Sequence, residues 1–172
     1  MKRSCAWGLW LIAAATATLS AQEVSLEYRV KAAYLYNFVK FVEWPEPRRG
    51  SLLICVAGQN PFGTVLTDLI RNEQIRGVPL ETRVILEPDP DCDVLFMPRT
   101  SNIAAYLRAA AGMPTLTVGE TARFIEQGGI IRLFPEGVNV RFEINREAAD
   151  RARLRISSRL LQLARVADTE ER

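Results

Sequence analysis

"SLLICVAGQNPFGTVLTDLIRN", residues 51–72, changes its hydrophobic period partway along. The opening letters, "SLLICVAG", are a short continuous apolar run ending at Gly58, the pattern of a strand buried on both faces. "QNPFG" supplies turn residues, after which Val65, Leu66, Leu69 and Ile70 recur at helical spacing. A doubly buried strand that turns into an amphipathic helix belongs to a sheet covered by helices. The loop "GQNPFG" lacks the G-x-G-x-x-G spacing and the Walker lysine of phosphate-binding turns, so its glycines are read as ending a strand and starting a helix.

The same alternation continues toward the C-terminus. "VPLETRVIL" alternates like a strand, "EPDPD" is a proline-rich turn, and "CDVLFMP" is a second buried strand. "SNIAAYLRAA" predicts a helix with a Ser N-cap, closed by Gly112, and "MPTLTVGE" another strand. "TARFIEQGG" predicts a short helix stopped by two glycines. "IIRLF", the turn "PEG" and "VNVRFEIN" form a hairpin with Val140, Phe142 and Ile144 on one face and Asn139, Arg141, Glu143 and Asn145 on the other. A final helix is predicted over residues 146–166: Ala149, Ala152, Ile156, Leu160 and Leu163 make its apolar stripe, and Arg151, Arg155 and Arg159 a basic row beside it.

Toward the N-terminus, "VKAAYLYNFVKFVEWP" (residues 30–45) places Leu35, Phe38, Val39 and Val42 on one side of a helix, flanked by Tyr34 and Phe41. Pro45 disfavours a helical Trp44 and marks the stop. Lys31 projects near the middle of the apolar side, where it either snorkels from the first turn or pairs with a buried carboxylate. Strands separated by helices, without repeats or long linkers, predict an α/β fold: a single-domain sandwich with a mostly parallel central sheet flanked by helices, Rossmann-like but without a nucleotide-binding loop.

Residues 1–21 read as a secretory signal peptide: Lys2 and Arg3, then an apolar run shorter than a membrane span, then a small residue at Ala21. The domain is expected over 22–166 and a flexible tail over 167–172. The net charge of +2 falls to zero once Lys2 and Arg3 are removed, which leaves no electrostatic case for a nucleic-acid partner. The chain has no histidine, which excludes Ser-His-Asp and Cys-His catalysis and the usual zinc sites. No catalytic residue, metal or cofactor is expected. Asp89, Asp91 and Asp93 in "DPDCD" are read as solvated loop acids.

Two cysteines lie beyond the leader, Cys55 and Cys92, both on apolar, strand-like segments. In an oxidising compartment they read as a disulfide, with two separate buried thiols as the alternative. Arg141 and Glu143 share a strand face, and Arg151 on the following helix could lie nearby. That group is either a surface ion pair worth under about 1 kcal/mol or a charged rim for recognising another protein.

In order, "VKAAYLYNFVKFVEWP", "ICVAGQNPFG", "CDVLFMP", "LTVGE", "VRFEIN" and "LRISSRLLQLAR" resemble the YfiR family of bacterial periplasmic proteins over roughly residues 27–166. The resemblance implies an α/β periplasmic regulator, often a homodimer, that represses an inner-membrane diguanylate cyclase through its periplasmic sensor domain. It also implies relief of repression by an outer-membrane peptidoglycan-binding lipoprotein, and thereby control of cyclic-di-GMP and biofilm formation. Cys55 and Cys92 match a family disulfide, Glu143 matches a position implicated in repression, and Arg151 matches another. A further cysteine pair found in the family before the closing hairpin has no counterpart in "ARFIEQGGIIRLF", so redox control through that bridge does not carry over. The alternative expectation is an accessory periplasmic module for a sensor kinase or an outer-membrane transport system, with a small ligand in an apolar pocket.

Overall fold

The computed structural model describes residues 23–45 and 50–166; the expected signal peptide and the tail 167–172 lie outside them. Helix α1 spans Leu26–Phe41. Ser25 caps it by accepting from the Tyr28 amide, and Glu27 and Lys40 sit at the ends where the helix dipole favours their charges. The elements that follow are β1 (Val42–Glu43), β2 (Leu52–Ala57), α2 (Val65–Ile70), β3 (Gln74–Ile75), β4 (Val78–Ile85), β5 (Val94–Met97), α3 (Ile103–Ala110) and β6 (Leu116–Gly119). The chain closes with β7 (Ile131–Glu136), β8 (Asn139–Ile144), α4 (Arg146–Arg151), β9 (Arg155–Ile156), α5 (Ser158–Leu163) and β10 (Arg165–Val166).

The main sheet runs β10-β8-β7-β6-β5-β2-β4-β3, and its neighbours pair parallel except at β7–β8 and β3–β4. The mixed α/β architecture with a mostly parallel sheet is therefore as read. β2 lies inside the sheet between β5 and β4 with every residue buried, which is why its sequence shows no alternation. Its side chains divide by parity. Leu52, Ile54 and Val56 join a large apolar cluster with Leu35, Phe38 and Val39 of α1, while Leu53, Cys55 and Ala57 join a smaller one with Ile103 and Tyr106 of α3 and Phe124.

Cys55 and Cys92 form a disulfide with a Cα–Cα distance of 5.7 Å. Cys92 stands two residues ahead of β5 rather than within it, so the bridge ties β2 to the entry of its neighbouring strand. Asp93 is not solvated as expected. It is buried, and its carboxylate accepts from the Leu53 amide at 2.8 Å.

Three helical expectations are corrected. The cap of α3 is Asn102, whose side chain accepts from the Ala105 amide, and not the preceding Ser101. "TARFIEQGG" forms a series of turns instead of a helix. Phe124 is inserted between Gly119 and Gly129, where an added Cβ would come within 2.3 and 2.1 Å of its ring, and winding a regular helix would withdraw it from that slot. The helix expected over 146–166 breaks at Arg153, which takes a positive φ of 58°. The chain then pairs as β9 with β1, Val42 opposite Ile156, and restarts as α5 under a Ser157 cap. Burial of Leu154 and the short ladder outweigh the helical stripe, and the basic row of Arg151, Arg155 and Arg159 is divided among α4, β9 and α5.

Candidate functional site

Strand periodicity builds the candidate site. Phe142 of β8 packs against Tyr34 and Phe38 of α1, with ring centroids 5.4 and 5.2 Å apart, and the Tyr34 hydroxyl donates to the Val140 carbonyl at 3.0 Å. Alternation then sends Arg141 and Glu143 to the opposite face of the sheet. There they meet the outward residues of β7, with Glu143 opposite Arg132 and Arg141 opposite Phe134.

Glu143 Oε1 lies 2.7 Å from Arg132 Nε, each side chain about one-fifth exposed. The contact is an ion pair without hydrogen-bond alignment at Nε. Arg132 also donates from Nη1 to the Ala122 carbonyl at 2.8 Å and lies over the Phe134 ring at 4.7 Å. The guanidinium thus joins the hairpin to the 121–129 turns. Arg141 pairs with Glu136 across the hairpin at 3.2 Å, well exposed. Arg151 pairs with Glu147 of its own helix at 3.6 Å. The structure therefore brings Arg141 and Glu143 to one face, as read, but gives each a different partner, and Arg151 is paired within α4 rather than with either.

Sequence reading missed Arg132, whose only signal is its place in "IIRLF", in register with "RFEIN" across the turn. It also missed Glu120, at the end of β6. The ammonium of Lys31 reaches both Glu27 and Glu120, and the Lys31 and Glu120 side chains are wholly buried. The open question about Lys31 is thus resolved as a buried ion pair. The Tyr28 hydroxyl donates to Glu120 Oε2 at 3.3 Å, the Arg99 amide donates to the same oxygen at 3.2 Å, and the ammonium lies 4.6 Å from the Tyr28 ring centroid. Burial, helped by the charge and hydrogen bond of Glu120, pushes the Tyr28 phenol up to about 12, so it remains a neutral donor.

Between the two groups is a cavity of about 360 Å³ lined by Arg99, Glu120, Thr121, Arg132, Phe134 and Pro135. Thr121 Oγ1 is sequestered beside it without a hydrogen-bond partner. Among the described residues there is no cluster of three or more His, Cys, Asp or Glu able to hold a metal, and no helix long and apolar enough to cross a membrane. The arrangement offers charged and aromatic groups for recognition.

Residues 28–165 match the YfiR/HmsC-like family, and the chain belongs to it. A solved structure of a conserved domain protein from Vibrio cholerae O1 biovar El Tor is similar in fold, with a TM-score of 0.53 at 14% identity. The match covers 81% of this chain and 59% of that one, and at this identity it speaks for the fold alone.

Proposed function

We propose that the protein is a periplasmic regulator that binds the periplasmic sensor domain of an inner-membrane diguanylate cyclase and holds the enzyme inactive, thereby limiting cyclic-di-GMP and biofilm formation. The observation that carries this reading is the Arg132–Glu143 pair: within a chain of the YfiR/HmsC-like family, it is a partly exposed ion pair on the sheet face opposite α1. Glu143, Arg132 and Phe134 present a carboxylate, a guanidinium and an aromatic edge together, a combination suited to a protein interface. Arg141 extends the rim and Arg151 lies outside its ion pairs. Repression follows if the regulator binds the inactive arrangement of the cyclase more tightly than the active one, since only differential affinity shifts such an equilibrium. The protein acts by binding, without catalysis or cofactor, and the outer-membrane lipoprotein relieves it by competing for the regulator. The disulfide and the doubly covered, Rossmann-like sheet suit a single exported domain.

Glu143→Lys tests the reading. The expected outcome is raised cyclic-di-GMP in cells that export the variant at normal levels. The double variant Arg132→Glu/Glu143→Lys restores the ion pair internally; it is expected to regain stability while still failing to repress. Wild-type cyclic-di-GMP in both strains would refute this site.

The cavity beside Arg99 and Thr121 supports a second reading, an accessory module for a sensor kinase or transport system that binds a small ligand. A ligand that selects the folded state raises its melting temperature, so a thermal-shift screen on the purified protein checks it.

A further inference from the structure

Residues 146–165 carry six arginines and two acids, a net charge of +4 in a chain whose charge falls to zero once Lys2 and Arg3 are removed. The rest of the chain is therefore net negative. Pairing differs as well: seven of the nine described arginines before residue 146 have a carboxylate partner, whereas Arg153, Arg155 and Arg159 are exposed and have none among the described residues. The fold turns these three outward. Leu154 and Leu160 are buried and Ile156 packs against the core, so the arginines between them are left to solvent. Arg153 and Arg155 line one hollow with Trp44 and Pro45; of the acids in that hollow, Glu43 is held by Arg76 at 3.1 Å, which leaves Asp150 against two guanidiniums. In α5, Arg159 and Leu163 are four residues apart and so adjacent on the helix surface, and Leu163 is 69% exposed.

We propose that the segment from Arg153 to Leu163 docks on an anionic phospholipid surface, with the three guanidiniums on headgroup phosphates and Leu163 at the acyl boundary. A guanidinium fits a phosphate through paired N–H donors, and an arginine without an internal partner breaks no ion pair to do so. Cations brought to an anionic bilayer add their attractions. The leucine favours a bilayer over a soluble polyanion, because it leaves water only where there is an apolar layer to enter. The net-negative remainder is repelled by the same surface, so the charge asymmetry orients the protein with this segment toward the lipid. The docking uses neither Arg132 nor Glu143. It does not rest on the cyclase reading, since its test contains only protein and lipid.

Vesicles of phosphatidylglycerol and phosphatidylethanolamine are expected to carry the purified protein down on sedimentation at low ionic strength, and to release it when salt is added. Vesicles of phosphatidylcholine alone are expected to leave it in solution. Arg153→Asn/Arg155→Gln/Arg159→Gln removes the three cations, with Asn at the first position because Arg153 takes a positive φ of 58°. The triple variant is expected to partition about a hundredfold less onto the anionic vesicles, with an unchanged melting temperature. Leu163→Glu, a single change at an exposed site, is expected to weaken partition by about tenfold. A wild-type protein that ignores the anionic vesicles, or binds phosphatidylcholine equally, overturns the proposal. So does undiminished binding by the triple variant or by Leu163→Glu. Loss of repression in the triple variant, without vesicle binding by the wild type, would give this face to an acidic protein and overturn the proposal too.

Discussion

Lys31–Glu120 and Arg132–Glu143 are ion pairs that each contribute one residue to the lining of the same cavity, and they differ in burial. The first has no exposed side-chain surface on either partner and is completed by Glu27, Tyr28 and the Arg99 amide. The second leaves about one-fifth of each side chain in contact with solvent and fixes the hairpin to the 121–129 turns. A fully buried pair must satisfy its charges internally and has no group left to present. A partly buried pair is held in a defined geometry and remains accessible. The contrast marks the first as structural, whereas the second suits the recognition role proposed for it above.

The largest effect expected is from breaking the closed pair. Lys31→Ala leaves Glu120 buried without its cation and should cost about 3–5 kcal/mol, read as a fall in the urea midpoint. Replacing Lys31 and Glu120 together with Met and Leu should return much of that loss, and no recovery would mean the network holds α1 by more than charge balance. Removing the disulfide by Cys55→Ser/Cys92→Ser should cost about 2–4 kcal/mol on the same assay, independently of either ion pair. A third effect appears only in alkali. The Tyr28 phenol titrates about 12 when folded against 10.0 for an ordinary tyrosine, so its contribution is fully present below pH 10 and is lost as pH rises toward 12. Tyr28→Phe should flatten that part of the decline, and an unchanged profile would show that the phenol is not held neutral by its surroundings.

The open pair should respond differently. Glu143→Lys is expected to cost about 1 kcal/mol by facing Arg132 across the ladder, yet to affect signalling more than any variant of the closed pair that still folds. Arg141→Ala, at an exposed pair with Glu136, should change stability by less than about 1 kcal/mol. A large loss there would place the hairpin rim, rather than Arg132–Glu143, at the centre of the site.

The strands were legible because burial on both faces leaves unbroken apolar runs, and the hairpin because "VNVRFEIN" alternates. Long-range partners were not. Lys31 stood out as a cation on an apolar helix face, but Glu120 lies 89 positions away in "VGE", where nothing local marks a buried carboxylate. Glu143 could be placed on the correct face by parity, while Arg132 needed the register of β7 against β8. The misread C-terminal helix has a local lesson: the Ala and Leu spacing fits a helix, but Ser157 is an N-cap inside the run, a restart signal that the stripe concealed.

The ladder between β1 and β9 joins Val42 to Ile156 and Glu43 to Arg155, close to the two ends of the folded chain. A polypeptide that folds from its N-terminus can seat α1 against α2 and β2 early, but the contacts of α1 with β8 and α5 and the β1–β9 ladder wait for the last segments of the chain. Completion of the core therefore depends on the C-terminal segments, whose long sequence separation from α1 makes their contacts slow to form. A chain lacking everything after α3 would leave uncovered the part of α1 that β8 and α5 cover, a surface open to chaperones or to neighbouring chains.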